Sequence, residues 1–211
     1  MEFIASVRCV DLANGELRDF SREDCKFSYR ESIFKRESVD RYVVSSVVFE
    51  FGAQASVNTA YPALSDALAD NAGSASAREV CDAVVALRRK KLPDPMEIPN
   101  VGSFFKNPCI SVDRGEALRA RHEDVPLYPV AVASPERLNA EVVKTSAAWL
   151  IDHCGLRGHR IGGAVVSKQH ALVITNVHNA THSDVLALAD HIQSTVSDTF
   201  SIDLEIEPRV L

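Results

Sequence analysis

Pro93 and Pro95 constrain this chain most. Neither has a backbone donor, and each biases the residue before it away from helical dihedrals, so no helix runs through Leu92-Pro93-Asp94-Pro95. The chain must build its elements on either side of that stretch, which reads as a boundary between two lobes. Before it, Ser76 and Glu79 fit a capping box, and Val80, Val84 and Leu87 recur at helical spacing. The basic run Arg88-Arg89-Lys90-Lys91 complements the negative end of that helix. Beyond the boundary lies a chemically unusual block, Ile98-Pro99-Asn100-Val101-Gly102-Ser103-Phe104-Phe105-Lys106-Asn107-Pro108. A glycine before a serine lets backbone approach a ligand, two aromatics supply an apolar wall, and Lys106, Asn107 and Pro108 add a cation, an amide and a rigid stop. A serine held in this way serves as a proton donor or as a nucleophile, and the block alone leaves both open.

A chain of 211 residues, 46% hydrophobic and 25% charged, can bury one sizeable core or two modest ones. A formal charge of −6 and a pI near 5.6 argue against a nucleic-acid surface but allow a local basic pocket for a phosphorylated small molecule. The cysteines Cys9, Cys25, Cys81, Cys109 and Cys154 are odd in number and form no CxxC pair, so neither a disulfide framework nor a zinc module is expected. Reduced thiols fit a cytoplasmic setting. No basic region followed by an apolar run opens the chain, and no apolar stretch reaches the roughly eighteen residues of a membrane span, so neither export nor a membrane partner is expected.

Residues 2–10 and 16–20 flank Asn14-Gly15 and read as a hairpin, residues 25–37 as a structured loop or short helix, and Arg41 to Phe51 as one well-buried strand. Residues 54–75 read as a connection. A short helix is expected over 113–121, a proline-punctuated loop over 125–137, and a helix from Ser146 to Cys154 ended by Gly155. Gly162 to Ser167 and Ala171 to Asn176 form a hairpin candidate. Val185, Leu188, Ala189, Ile192 and Val196 mark a helix over 183–197, and an extended tail runs from Ile202 to Leu211. His178 and His182 read as loop and cap residues, so no metal is expected. Gly162-Gly163 lacks the GxGxxG pattern and reads as strand-end geometry.

Four blocks stand in one order: Tyr29-Arg30-Glu31-Ser32-Ile33-Phe34-Lys35; Lys91-Leu92-Pro93-Asp94-Pro95; Gly102-Ser103-Phe104-Phe105-Lys106-Asn107-Pro108; and Ala148-Trp149-Leu150-Ile151-Asp152 running to Gly162-Gly163. In these the chain resembles the C-terminal part of the UDP-N-acetylenolpyruvoylglucosamine reductase (UDP-N-acetylmuramate dehydrogenase, MurB) family, in the branch that closes a tyrosine loop over its substrate. The resemblance implies an α+β fold: the end of a flavin-binding lobe over 1–92, an α+β substrate-binding lobe with a mixed or antiparallel sheet over 93–201, and a tail over 202–211 returning to the flavin lobe. It implies FAD as cofactor, NADPH as co-substrate and UDP-N-acetylglucosamine enolpyruvate as substrate, in peptidoglycan precursor synthesis.

By the same resemblance Ser103 is the proton donor. Glu207 in the tail, with Glu205 as the lesser candidate, and an arginine of the flavin domain stabilise the enolate, a role that such chemistry requires of hydrogen-bonding or charged groups. Substrate contacts carry over to Tyr29, Lys91, Asn107, Tyr128, Arg157 and His170, where Arg157 replaces a lysine and His170 a glutamine. Cofactor contacts carry over to Arg88 and Arg209. Most flavin contacts of the family lie in an N-terminal region absent from this sequence. The chain thus reads as a fragment, a mis-assigned start or a split-gene product that joins a separately encoded flavin lobe, and it is expected to be inactive alone. A second reading, from another class, is a non-catalytic UDP-sugar-binding module.

Overall fold

The computed structural model describes residues 3–52, 57–71, 73–130 and 142–210. Their contacts group them into two compact units, one holding residues 3–52 and the other 57–130 with 142–210. Among the described residues no helix is long and apolar enough to cross a membrane.

The first unit is a three-stranded antiparallel sheet. Its central strand β1 (Ile4–Asp11) lies between β2 (Leu17–Ser21) and β3 (Tyr42–Phe49). The β1–β2 hairpin turns at Asn14-Gly15 as expected, with Gly15 at φ +76°. Buried Asp11 ties the loop together: its carboxylate accepts from the Ala13 amide at 3.1 Å and from Arg41 Nη2 at 3.1 Å. The Arg41 hydrogen bond, helped by that amide, holds the carboxyl below its usual range. A small core of Val7, Cys9 and Cys25 is walled by Phe20, Phe34 and Tyr42, which meet edge to face. Residues 25–37 form a tight turn closed by the Ser28–Glu31 bridge and a 3-10 turn over Ile33–Lys35.

The expectation of a well-buried strand over Arg41 to Phe51 is corrected in part. The strand forms, but Val43, Val44, Val47, Val48 and Phe49 are exposed. It is an edge strand paired on one side with β1, so its β-branched side chains suit the pleat without being covered by it.

The second unit opens with α1 (Pro62–Leu68) and α2 (Ala77–Lys91). Pro62 at the first turn of α1 presets the helical φ, which gives the 54–75 connection a short helix; its residues 54–56 and 72 lie outside the described set. The Ser76–Glu79 capping box forms. The apolar stripe of α2 is only partly covered: Val80 and Leu87 are half-buried and Val84 is exposed.

Two antiparallel sheets follow. One has the order β4 (Asn100–Ser103), β10 (Val173–Asn176), β9 (Ala164–Val166), β8 (Arg160–Ile161). The other has the order β5 (Cys109–Ser111), β7 (Val142–Thr145), β6 (Leu127–Pro129). Every pairing is antiparallel, the second of the two forms allowed by the expected α+β class. The β9–β10 hairpin forms where expected. The proline-punctuated loop instead contributes β6, whose Tyr128 lies opposite Lys144 of β7, and residues 131–137 of that loop lie outside the described set.

Helices α3 (Val112–Arg121), α4 (Ala147–His153) and α5 (His182–Phe200) complete the unit. The α5 stripe is buried at Leu188, Ala189, Ile192 and Val196, against Phe105, Leu150, Ile151 and Val166. Gly155, at φ +70°, ends α4 with its amide on Asp152 O. Gly163 has strand-end geometry of a demanding kind: an added Cβ would fall 2.4 Å from Ala180 N and 2.6 Å from His178 O. His178 and His182 do not share a helix, since Asn179 is left-handed and Thr181 caps α5.

Candidate active site

Ser103 is the last residue of β4, half-buried and opposite Val173 of β10. Gly102 before it adopts φ +77°, and its amide donates to Asn100 Oδ1 at 2.9 Å. An added Cβ at Gly102 would meet nothing within 4 Å, so this position needs glycine for its dihedral; close packing does not demand it. After Ser103 the chain leaves β10 with a last hydrogen bond, Phe104 N–H to Leu172 O at 2.7 Å, and buries both phenylalanine rings in the core.

On its other side this stretch is covered by the tail. Lys106 N–H donates to Glu205 O and Glu207 N–H donates to Phe104 O, both at 2.9 Å, around an antiparallel bridge between Phe105 and Ile206. Half-buried Glu207 is therefore fixed by its backbone to the residue next to Ser103. Glu205 is exposed, and its carboxylate pairs with Lys106 Nζ. Arg209, two residues past Glu207, is exposed.

Arg157, His170 and Lys91 form the second group. Burial pushes the His170 imidazole below its ordinary value, and the positive charges of Arg157 and Lys91 push it further, so these cations lie within electrostatic reach of His170. His170 Nδ1 accepts from the Leu172 amide at 3.3 Å, which in the neutral ring leaves the proton on Nε2. The guanidinium of Arg157 is braced by Asp152 in a two-pronged pair, with Nη2 to Oδ2 at 2.8 Å, and by Nη1 to Lys168 O at 3.2 Å. Two cations within electrostatic reach of an imidazole suit a phosphate-bearing ligand.

Asn107 carries a structural duty as well. Its Oδ1 accepts from the buried Ala147 amide at 2.9 Å, at the first residue of α4, which leaves the Nδ2 donors as the groups it can offer a ligand. Tyr128 is exposed on β6, with Lys144 Nζ 5.7 Å from its ring centroid. Tyr29 stands half-buried in the tight turn of the first unit, and Arg88 is exposed in the last turn of α2.

The structure adds residues that the sequence did not single out. Tyr61 presents its ring 5.8 Å from Lys91 Nζ, while Lys144 stands over Tyr128. Asp152 orients Arg157, and Asp184 accepts from the Gly163 amide at 3.2 Å. Only Asp152 had a visible signal, since a carboxylate five positions before a cation across a helix end is a pairing pattern. The other contacts join segments distant in sequence.

A dinucleotide such as FAD needs a long groove lined by donors. The two candidate cofactor residues, Arg88 and Arg209, are exposed side chains on α2 and in the tail, and the described residues do not by themselves make a fit for the group.

The architecture is thus an α+β protein whose second unit carries a serine–glutamate pair of backbones and a cationic group suited to an anionic ligand. Residues 94–211 match the family described as UDP-N-acetylenolpyruvoylglucosamine reductase, C-terminal domain, and the chain belongs to that family. The UDP-N-acetylenolpyruvoylglucosamine reductase of Neisseria gonorrhoeae is 45% identical over 212 residues, an alignment covering 100% of this chain and 59% of that protein. That of Burkholderia mallei is 44% identical over 213 residues with the same coverage. The chain thus spans 59% of the length of these curated relatives. A crystal structure of the Thermus caldophilus reductase shares the fold with a TM-score of 0.55 at 22% identity, covering 99% of this chain and 53% of that one.

Proposed function

We propose that this chain is the substrate-handling portion of an NADPH-dependent, FAD-containing reductase that converts UDP-N-acetylglucosamine enolpyruvate to UDP-N-acetylmuramate in the cytoplasm, for peptidoglycan precursor synthesis. The single observation that carries the reading is Ser103 at the end of β4, with the backbone of Glu207 bonded to the next residue, Phe104. Reduction of an enolpyruvyl double bond places carbanion character next to a carboxylate, and the product forms when that carbon takes a proton. Ser103 Oγ–H is the donor: its O–H bond breaks as the new C–H bond forms, and solvent returns the proton to the alkoxide. Glu207 is assigned to the developing enolate, whose oxygen it stabilises as a hydrogen-bond donor in its carboxylic acid form.

Arg157, Lys91 and His170 hold the diphosphate, with His170 donating from Nε2 and Asp152 fixing the plane of Arg157. Asn107 Nδ2, Tyr128 and, from the first unit, Tyr29 complete the substrate contacts. Arg88 and Arg209 are assigned to the cofactor side. The roles of residues 1–92, 93–201 and 202–211 as flavin-lobe end, substrate lobe and tail belong to the same proposal, as does an N-terminal flavin lobe supplied by further sequence. The exposed apolar edge strand β3 supports a partner element for the first unit.

The test uses a protein that includes the flavin lobe. Ser103→Ala should slow flavin reoxidation by substrate about a hundredfold or more while leaving reduction by NADPH intact. Equal rates in both half-reactions would remove Ser103 from its role. A non-catalytic nucleotide-sugar-binding module is the second reading, favoured by a cationic group whose contacts do not involve Ser103. It requires the 211-residue chain to bind UDP-N-acetylglucosamine in calorimetry with the same affinity when Ser103 is alanine.

A further inference from the structure

Two glutamates compete for the tail's role, and the side chain that separates them is Lys106. Lysine rarely sits inside a fold without a partner, yet the Lys106 side chain is only 11% exposed. Its ammonium pairs with the carboxylate of Glu205, which is itself 69% exposed. The same two residues are joined by the hydrogen bond from Lys106 N–H to Glu205 O. Upstream, the tail is anchored by burial of Ile202 and Leu204 and by Gln193 Nε2 donating to Leu204 O at 2.7 Å. Past Leu204, Ile206 is partly buried, and the backbone makes two hydrogen bonds, to Phe104 and Lys106. The ion pair stands between the core anchor and Glu207.

We infer that Lys106 and Glu205 form a clamp whose task is to seat the tail along Phe104 to Lys106 and so present Glu207 at Ser103. Lys106 is a positioning residue, and Glu205 is its counter-ion; the carboxylate of Glu205 is committed to that ammonium and does not act on the substrate. The inference rests on the assignment of Ser103 and Glu207 proposed above, but it is read without substrate or cofactor.

Amide hydrogen exchange, resolved by NMR on the 211-residue chain, measures it directly. In Lys106→Met the amides of Lys106 and Glu207 should exchange about tenfold faster or more, the loss expected for a charged hydrogen bond that closes a local segment. The Phe104 amide, bonded to Leu172 O, should keep its protection and so report that the sheet is intact. Lys106→Arg should restore the slow exchange. Glu205→Gln changes an exposed side chain and should speed the same two amides, and its effect should be less than additive with that of Lys106→Met, as for two residues in contact. Unchanged exchange at Glu207 in Glu205→Gln would overturn the clamp, whatever becomes of Lys106→Met. In a protein with the flavin lobe, Glu205→Gln should lower the rate of the substrate half-reaction with little change in KM. If Ser103→Ala and Glu207→Gln had no kinetic effect while the exchange result held, the functional reading would fail and the clamp would stand.

Discussion

Asn107 offers a way to separate a residue's structural duty from its binding duty, because one side chain presents two chemically different ends. Its carbonyl oxygen accepts from the Ala147 amide, which belongs to a fully buried residue at the first position of α4. Ser146, the cap of that helix, reaches only the Trp149 amide, so Asn107 satisfies a donor that the local sequence does not. Truncation in Asn107→Ala leaves that N–H without its partner, at a cost of about 1–3 kcal/mol. For a chain of this size each kcal/mol moves Tm by about 2–4 °C, so the variant should melt about 2–12 °C lower.

Asn107→Asp keeps an oxygen for the Ala147 amide and places a negative charge at a helix N-terminus, which is favourable by about 0.3–1 kcal/mol. Its Tm should match or exceed that of the native chain. The same change removes the Nδ2 donors and puts a carboxylate before an anionic ligand, so calorimetric affinity for UDP-N-acetylglucosamine should fall by about tenfold or more. The two variants are thus expected to part: alanine loses stability, and aspartate loses binding with stability kept. A fall in Tm for aspartate as large as for alanine would refute the capping argument. Undiminished affinity in the aspartate variant would take Asn107 out of the ligand site.

His170 is expected to link stability to pH. Its folded-state value lies below the ordinary one, so as pH falls through about 6.5 the unfolded chain takes up a proton that the folded chain refuses. The stabilisation is present above that pH and is lost as the pH drops toward the folded value. Between pH 7 and 5 the native Tm should decline more steeply than that of His170→Gln, and parallel declines would rule the linkage out. Gly163→Ala would drive a Cβ against backbone atoms of Ala180 and His178, which cannot swing away, and should cost about 1–3 kcal/mol or more in thermal unfolding. A native-like Tm there would mean the close approach is absent in solution.

What the sequence made legible was local. The Ser76–Glu79 box, the Asn14-Gly15 turn, the α5 stripe and the β9–β10 hairpin each arise from residues within a few positions of one another, where dihedral preference and periodicity act directly. Readings that needed a distant partner fared differently. Residues 42–49 have the composition of a buried strand, but burial depends on what lies over the pleat, and composition carries no record of that. Tyr128 looked like a loop residue because the prolines around it break helices, yet an edge strand tolerates proline where no donor is needed, and β7 supplies the pairing.

The candidate site shows the same division at higher stakes. Ser103 is legible because glycine must precede it for the backbone to reach φ +77°. Its surroundings are assembled by contacts across great lengths of chain, Lys106 with Glu205 and Asn107 with Ala147, while the charges of Arg157 and Lys91 act on His170. Spacing could nominate both Glu205 and Glu207, since they are two residues apart in an extended tail. The separation comes from the register of that tail against Phe104 to Lys106, which sets Glu205 against a buried-stem lysine and Glu207 against the neighbour of the serine. A two-residue slip of the tail would set Glu207 against the lysine in place of Glu205. On the proposed reading, the lysine that pairs with Glu205 is therefore as much a determinant of which carboxylate serves the reaction as either glutamate is.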